Sequence, residues 1–198
     1  MPPKKSLIMS NKFNHNKSYS DTNFSEQQLI SQEFDNCKFK NCSFQTCDLT
    51  KVNFMECEFC DCDFSGAKLQ QTGFKGVYFK NCKLLGLQFS YCNTFLLEMK
   101  FDNSVLDLSS FYKLPLKAVR FHKCSLKEVD FAEANLQKAV FDDCDLTSAI
   151  FDHSNLDKVD FRTSINYTID PETNRINKAQ FSRDGLAGLL YKYDIRIE

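Results

Sequence analysis

The stretch "NLQKAVFDDCDLTSAIFDHSNLDKVDF", residues 135–161, decides the fold. Leu136, Phe141, Leu146, Phe151, Leu156 and Phe161 recur every five residues. Two positions before them stand Ala134, Ala139, Cys144, Ala149, Ser154 and Val159. A five-residue period is neither the 3.6 of a helix nor the 2 of a strand. It describes a chain that turns a corner every five residues, with one large and one small side chain inward each time. The other three positions are mostly Lys, Asp, Glu, Asn, Gln and Ser, as an outer wall requires.

The same frame runs back through Phe131, Leu126, Phe121, Leu116, Phe111, Leu106 and Phe101 to Leu96. An earlier frame holds Phe24, Leu29, Phe34, Phe39, Phe44, Leu49, Phe54, Phe59, Phe64, Leu69, Phe74, Phe79, Leu84 and Phe89. Between the two frames the count slips by two residues within "SYCNTFL". The expected organisation is an N-terminal extension or cap over 1–23 and a repeat array over 24–161. The array divides into blocks 24–90 and 96–161 around a slip near 91–95. Residues 162–198 complete it with an irregular last coil, a capping helix and a terminal strand.

Composition agrees with one special packing demand. The 198 residues contain 20 Phe, no Trp, 6 Gly and 4 Pro, and an ordinary α/β enzyme uses more Gly. A net charge of -1 gives no whole-molecule attraction to nucleic acid or to an anionic membrane. The basic start, "MPPKKSLIMSNKFNHNK", has no sustained apolar run of the kind a secretory signal needs. No stretch approaches the roughly 18–20 apolar residues that span a bilayer. The expectation is a cytoplasmic protein with reduced cysteines.

With the repeat units in view, the chain resembles the pentapeptide-repeat proteins, whose units read roughly Ala-(Asp/Asn)-Leu-x-x. "AEANLQ" around Leu136 and "CDLTSAIF" from Cys144 match well. The resemblance covers about 24–161 and implies an all-β, right-handed quadrilateral β-helix. Four corners then close a coil of about 20 residues, and coils stacked like strands rise roughly 4.8 Å each. The 28 inward Phe and Leu make about seven coils, on the order of 34 Å.

After Phe161 the period breaks at "RTSINYTIDPETNR", which carries turn chemistry. Ile176, Phe181, Leu186 and Tyr191 fall back on the second frame, so a hairpin-like bulge over the missing centres 166 and 171 is expected. "SRDGLAGLLYKY" starts with a plausible N-cap, Ser182, and reads as a helix over 183–191 with Leu186, Leu189 and Leu190 on one side. "DIRIE" alternates as a strand. A solenoid needs such a cover over its last apolar layer. This ending is similar to that of Qnr-type pentapeptide proteins, and that resemblance implies dimerisation through the C-terminal cap. The candidate contacts are Leu186, Leu189, Leu190, Tyr193, Ile195 and Ile197. The long projecting loops of many Qnr proteins have no counterpart here.

Cys57-x-x-Cys60 has the spacing of a zinc or redox pair. The frame overrides it: Cys37, Cys42, Cys47, Cys57, Cys62, Cys82, Cys124 and Cys144 all occupy the small inward position, and Cys60 alone points out. Stacked thiols with parallel side-chain vectors do not pair. Metal, disulfide and cofactor are not expected. Asp152-His153-Ser154 fails as a triad because neighbouring residues of an extended chain diverge. All central positions are filled, which leaves no interior pocket for a substrate, so an enzyme is not expected.

Charge is the remaining signal. Residues 64–127 carry ten Lys/Arg against three acids, whereas 128–160 carry nine acids against two lysines. The nine are Glu128, Asp130, Glu133, Asp142, Asp143, Asp145, Asp152, Asp157 and Asp160, a candidate acidic interaction band. The Qnr resemblance implies binding to DNA gyrase or topoisomerase IV, in part by resembling duplex DNA, and modulation of quinolone sensitivity. B-DNA carries one charge per ~1.7 Å, so a 34 Å mimic would need about 20 negative charges. Whole-length mimicry does not suit a net charge of -1. The band near the C-terminal end, with the dimer it flanks, is the expected contact. The alternative is a pentapeptide-repeat scaffold for an unrelated protein partner, without direct nucleic-acid or membrane binding.

Overall fold

A corner every five residues leaves room only for very short strands, and those present have three or four residues each. The structure, a computed structural model, describes residues 13–25, 27 and 29–196. One parallel sheet stacks Phe13–His15, Glu33–Asp35, Asn53–Met55 and Gly73–Lys75. A second stacks seven strands from Ser18–Ser20 through Glu58–Cys60 and Arg120–His122 to Val140–Asp142. Partners lie twenty residues apart, as in Phe39↔Phe59 and Phe121↔Phe141. Isolated parallel bridges such as Ser125↔Asp145, Asp130↔Ile150 and Asn135↔Asn155 continue the same register on the remaining sides. The chain is therefore an all-β parallel solenoid with four sides per coil. In chain order these centre on Phe121 (first), Leu126 (second), Phe131 (third) and Leu136 (fourth).

Phenylalanine is selected because identical flat rings stack at the coil rise. On the first side Tyr19, Phe39, Phe59, Phe79, Phe101, Phe121, Phe141, Phe161 and Phe181 form one continuous column, with centroid spacings from 4.6 to 5.6 Å. Opposite sides meet edge to face across the core, as Phe121 and Phe131 do at 5.8 Å, which suits the ring quadrupoles.

The small inward position has its own rule. Its side chain donates to the carbonyl of the central residue one coil earlier. Cys57 Sγ reaches Phe34 O at 3.4 Å, Thr72 Oγ1 reaches Leu49 O at 2.8 Å, and Ser154 Oγ reaches Phe131 O at 2.8 Å. Cys, Ser and Thr recur there because each is small and carries one donor for a buried acceptor. At most corners the second residue after the centre takes a positive φ, for example Ala118 (60°), Lys138 (63°) and Lys158 (62°). Such angles are uncommon outside glycine. They hold here because the corner N–H is used: Lys138 N donates to Asp157 O at 2.9 Å.

The thiols follow from this placement. Nine of the ten are buried and Cys60 is half-buried, its Sγ 3.5 Å from Glu58 Oε1. Burial pushes Cys47 and Cys57 up to about 12. Native protein treated with a maleimide near neutral pH is expected to take up one label, at Cys60, and all ten after denaturation. Two or more labels on the native protein, read by mass spectrometry, would contradict the inward assignment.

Five expectations change. Of the 28 predicted centres, 27 are buried, but Leu96 is 67% exposed. Leu97, one residue later, packs on the core instead. The extra two residues form an outward bulge: Gly73↔Asn93 keeps the twenty-residue step, and Val77↔Met99 resumes at twenty-two. The stack also starts before residue 24, since Phe13–His15 and Ser18–Ser20 pair in register with the next coil. Asn14 fills a central position there, fully buried, receiving hydrogen bonds from Lys17 Nζ and Tyr19 OH.

At the other end, the expected α-helix is two 3-10 segments, Asp184–Leu189 and Tyr191–Tyr193. Ser182 still caps, its Oγ accepting Gly185 N at 3.0 Å. Residues 194–196 form no strand, and Ile197 lies outside the described residues. No hairpin forms over 166–174. Tyr167 and Ile169 turn inward, and Tyr167 lies against Phe161 and Phe181 at 5.4 and 5.8 Å.

Candidate interaction surface

Because the interior is occupied by side chains, the chemistry available to a partner is on the walls and edges. The nine acids of 128–160 do not form one surface. Glu128 and Asp130 flank the edge between the second and third sides. Glu133 and Asp152 follow around the third, Asp142 and Asp143 leave the first, Asp145 starts the second, and Asp157 and Asp160 flank the edge from the fourth to the first. The fixed twenty-residue step distributes them this way.

Most are also engaged within the molecule. Asp160 holds Arg162 through two bonds of 3.0 and 2.8 Å. Asp157 is buried and takes Arg175 at 2.7 Å together with Asn177. Glu133 accepts Tyr112 OH at 2.7 Å and pairs with Lys113 at 3.3 Å. For Asp145, burial works against ionisation, but bonds from Thr147 and Asn166 with Lys127 at 3.3 Å hold its carboxyl at about 2. Asp130 accepts Ala132 N, and Asp152 lies 3.9 Å from His153. Among the described residues, the carboxylates of Glu128 and Asp143 have no such partner.

Asp142 belongs to a column the register builds on the first side. His122 stands between Asp102, at 2.9 Å from Nδ1, and Asp142, at 3.6 Å from Nε2. Tyr78 OH donates to Asp102 from one end, and Thr163 Oγ1 donates to Asp142 from the other. The hydrogen bond from His122, against the opposing effect of burial, holds the Asp102 carboxyl below the usual range. The pairing His122↔Asp142 puts Asp142 one coil beyond His122, where counting by twenty puts it.

The cap presents a mixed apolar surface. Leu189 packs on the core, while Leu186, Leu190, Tyr191, Tyr193 and Ile195 are exposed. Lys192 pins the segment to the last coil through Asp170 at 2.8 Å and Glu172 at 2.7 Å. Beside it a cleft of about 260 Å³ is lined by Ile150, Asp152, Thr168, Asp170 and Tyr191. Leu189 turns to the core while Leu186 and Leu190 stay exposed, so the three do not share one buried apolar face. Sequence reasoning also missed the exposed apolar group Tyr91, Phe95 and Leu96 beside the bulge. Its available signal was the break in frame. No helix among the described residues is long and apolar enough to cross a membrane.

A filled parallel β-helix with its variable chemistry on the walls defines a repeat scaffold. Models of the pentapeptide repeat region and of pentapeptide repeats in eight copies match residues 52–131, and 33–66 with 124–162, and the chain belongs to the pentapeptide-repeat family. QnrB1, a plasmid-mediated fluoroquinolone resistance protein, is similar in fold, with a TM-score of 0.53 at 15% identity over 92% of this chain and 100% of that one. HetL, a pentapeptide repeat protein involved in heterocyst differentiation regulation from the cyanobacterium Nostoc sp. strain PCC 7120, gives 0.52 at 12% identity over 87% and 88%. Identities this low speak for the fold alone. No curated protein gives a significant match to the sequence.

Proposed function

We propose that this protein is a non-catalytic, cytoplasmic interaction protein that binds DNA gyrase or topoisomerase IV and modulates their sensitivity to quinolones. The observation that supports the reading is a likeness in fold to QnrB1 over 92% of this chain and all of that one. The contact is assigned to the unengaged carboxylates of the C-terminal coils and to a homodimer joined through Leu186, Leu190, Tyr193 and Ile195. Internal pairing of the other acids argues against imitation of a DNA duplex and for a local patch. A scaffold for an unrelated protein is the second reading, favoured by that pairing and by an equal likeness in fold to HetL.

The test is gyrase supercoiling with and without a fluoroquinolone while this protein is titrated. Protection or inhibition at micromolar protein is expected. Reversing Glu128 and Asp143 to Lys, or splitting the dimer with Leu190→Glu, should weaken it several-fold. No effect of the unaltered protein leaves the scaffold reading standing.

A further inference from the structure

The register that scatters the acids gathers cations. The edge where the fourth side turns into the first carries Lys117 and Arg120 in one coil, then Lys138, Lys158 and Lys178 in the next three. Corner bonds fix this column: Ala118 N to Gln137 O, Lys138 N to Asp157 O and Lys158 N to Asn177 O, each 2.9 Å. Lys138, Lys158 and Lys178 share the same left-handed corner, with φ of 63°, 62° and 59°. All five side chains are exposed, and none has an ion-pair or hydrogen-bond partner among the described residues. The two acids nearest the edge are already used, Asp157 by Arg175 and Asp160 by Arg162. Ala118, Gln137, Val140, Asn177 and Gln180 fill the remaining places.

The opposite edge, between the second and third sides, carries Asp107, Glu128 and Asp130 against Lys127, which is drawn to Asp145. Two filled sides lie between the edges, further than the ~8 Å Debye length at physiological salt. A net charge of -1 therefore conceals two edges of opposite sign. Expecting no nucleic-acid contact from the net charge overlooks this separation.

We propose that the Lys117–Lys178 edge is a binding ridge for the phosphodiester backbone of duplex nucleic acid. The average charge density suits that partner. Five cations, two of them in the same coil, stand on four levels roughly 4.8 Å apart, an average of about one charge per 3.6 Å of ridge. One strand of B-DNA presents a phosphate every ~3.4 Å. The ridge carries no aromatic side chain and no planar array for reading base edges, so its binding is independent of sequence.

The test is fluorescence anisotropy of a labelled duplex of about 30 base pairs, titrated with the full chain between about 50 and 200 mM salt. Five phosphate contacts predict a log–log salt slope of about −4.5. Lys138→Gln with Lys158→Gln and Lys178→Gln should flatten it to about −1.8. A charge-matched control, Lys40→Gln with Lys68→Gln and Lys83→Gln, should leave it unchanged. All six side chains are exposed, so thermal melts of the variants should match the parent. No binding at the lowest salt, or an equal loss in the control, overturns the proposal. So does displacement of the duplex by poly-glutamate at lower charge concentration than by unlabelled duplex, which would assign the ridge to an acidic protein.

Discussion

Phe121→Ala is expected to lower the unfolding free energy by about 4 kcal/mol, near the upper end of what a single substitution does. Phe121 is fully buried and lies midway along the first-side column, 5.0 Å from Phe101 and 5.1 Å from Phe141. It also meets Phe111 and Phe131 edge to face at 5.9 and 5.8 Å. Truncation removes the apolar transfer term, leaves a ring-sized cavity and breaks four aromatic contacts together. The rigid coil spacing prevents the neighbours from collapsing into the gap. Leu96→Ala is the matching control, since Leu96 stands in the same numerical frame but outside the core, and its cost should stay within about 0.5 kcal/mol. Urea titration of the two variants measures both. Similar midpoints would refute the assignment of Leu96 to the bulge.

Gly188→Ala should detach the cap, at a cost of about 2 kcal/mol to the terminal coil. A methyl group at Gly188 would run into the backbone carbonyl of Tyr167, and one at Gly185 into its hydroxyl. Neither glycine is required for an unusual dihedral angle; both are required for space. The contact is also tied by Ile169 N donating to Gly188 O at 3.0 Å. Loss of this seat exposes Tyr167, Ile169 and the outer face of Phe181. In a solenoid each coil touches only its neighbours, so fraying should spread inward from residue 181 and leave the first coils protected. Hydrogen exchange by mass spectrometry would show faster exchange over 161–190 and none over 33–60. Ala187→Ser, on the exposed side of the same turn, should leave both regions as they were.

The inward residues were legible because one side-chain position in five cannot tolerate a polar group. Where that demand lapses, legibility lapses with it. Counting by fives cannot separate Leu96 from Leu97, since both are leucine and both flank the extra residues. Asn14 hides the first coil because amide hydrogen bonds replace ring packing at that end. In the cap, a helix of 3.6 residues per turn groups Leu186, Leu189 and Leu190. The 3-10 turn has three residues per turn, which takes Leu190 out of line and stacks Gly185 over Gly188. That pair of glycines three apart was the overlooked signal, and it required knowing that Tyr167 folds back. Charge was the least legible. Summing signs along 128–160 described a band, whereas pairing every twentieth residue dissolves it and raises a basic ridge in its place.

The bulge at residues 94–97 shows how the molecule accommodates added length. The rings on either side of it, Phe79 and Phe101, remain 5.4 Å apart, within the range found elsewhere in the column. Two residues have been added to the circumference without altering the pitch. The corner behaves as a splice point: foreign peptide inserted between Thr94 and Leu97 would be displayed on the outside while the column closes behind it. Epitope or affinity-tag display from this corner, in place of a tag at either terminus, is a practical use the geometry offers.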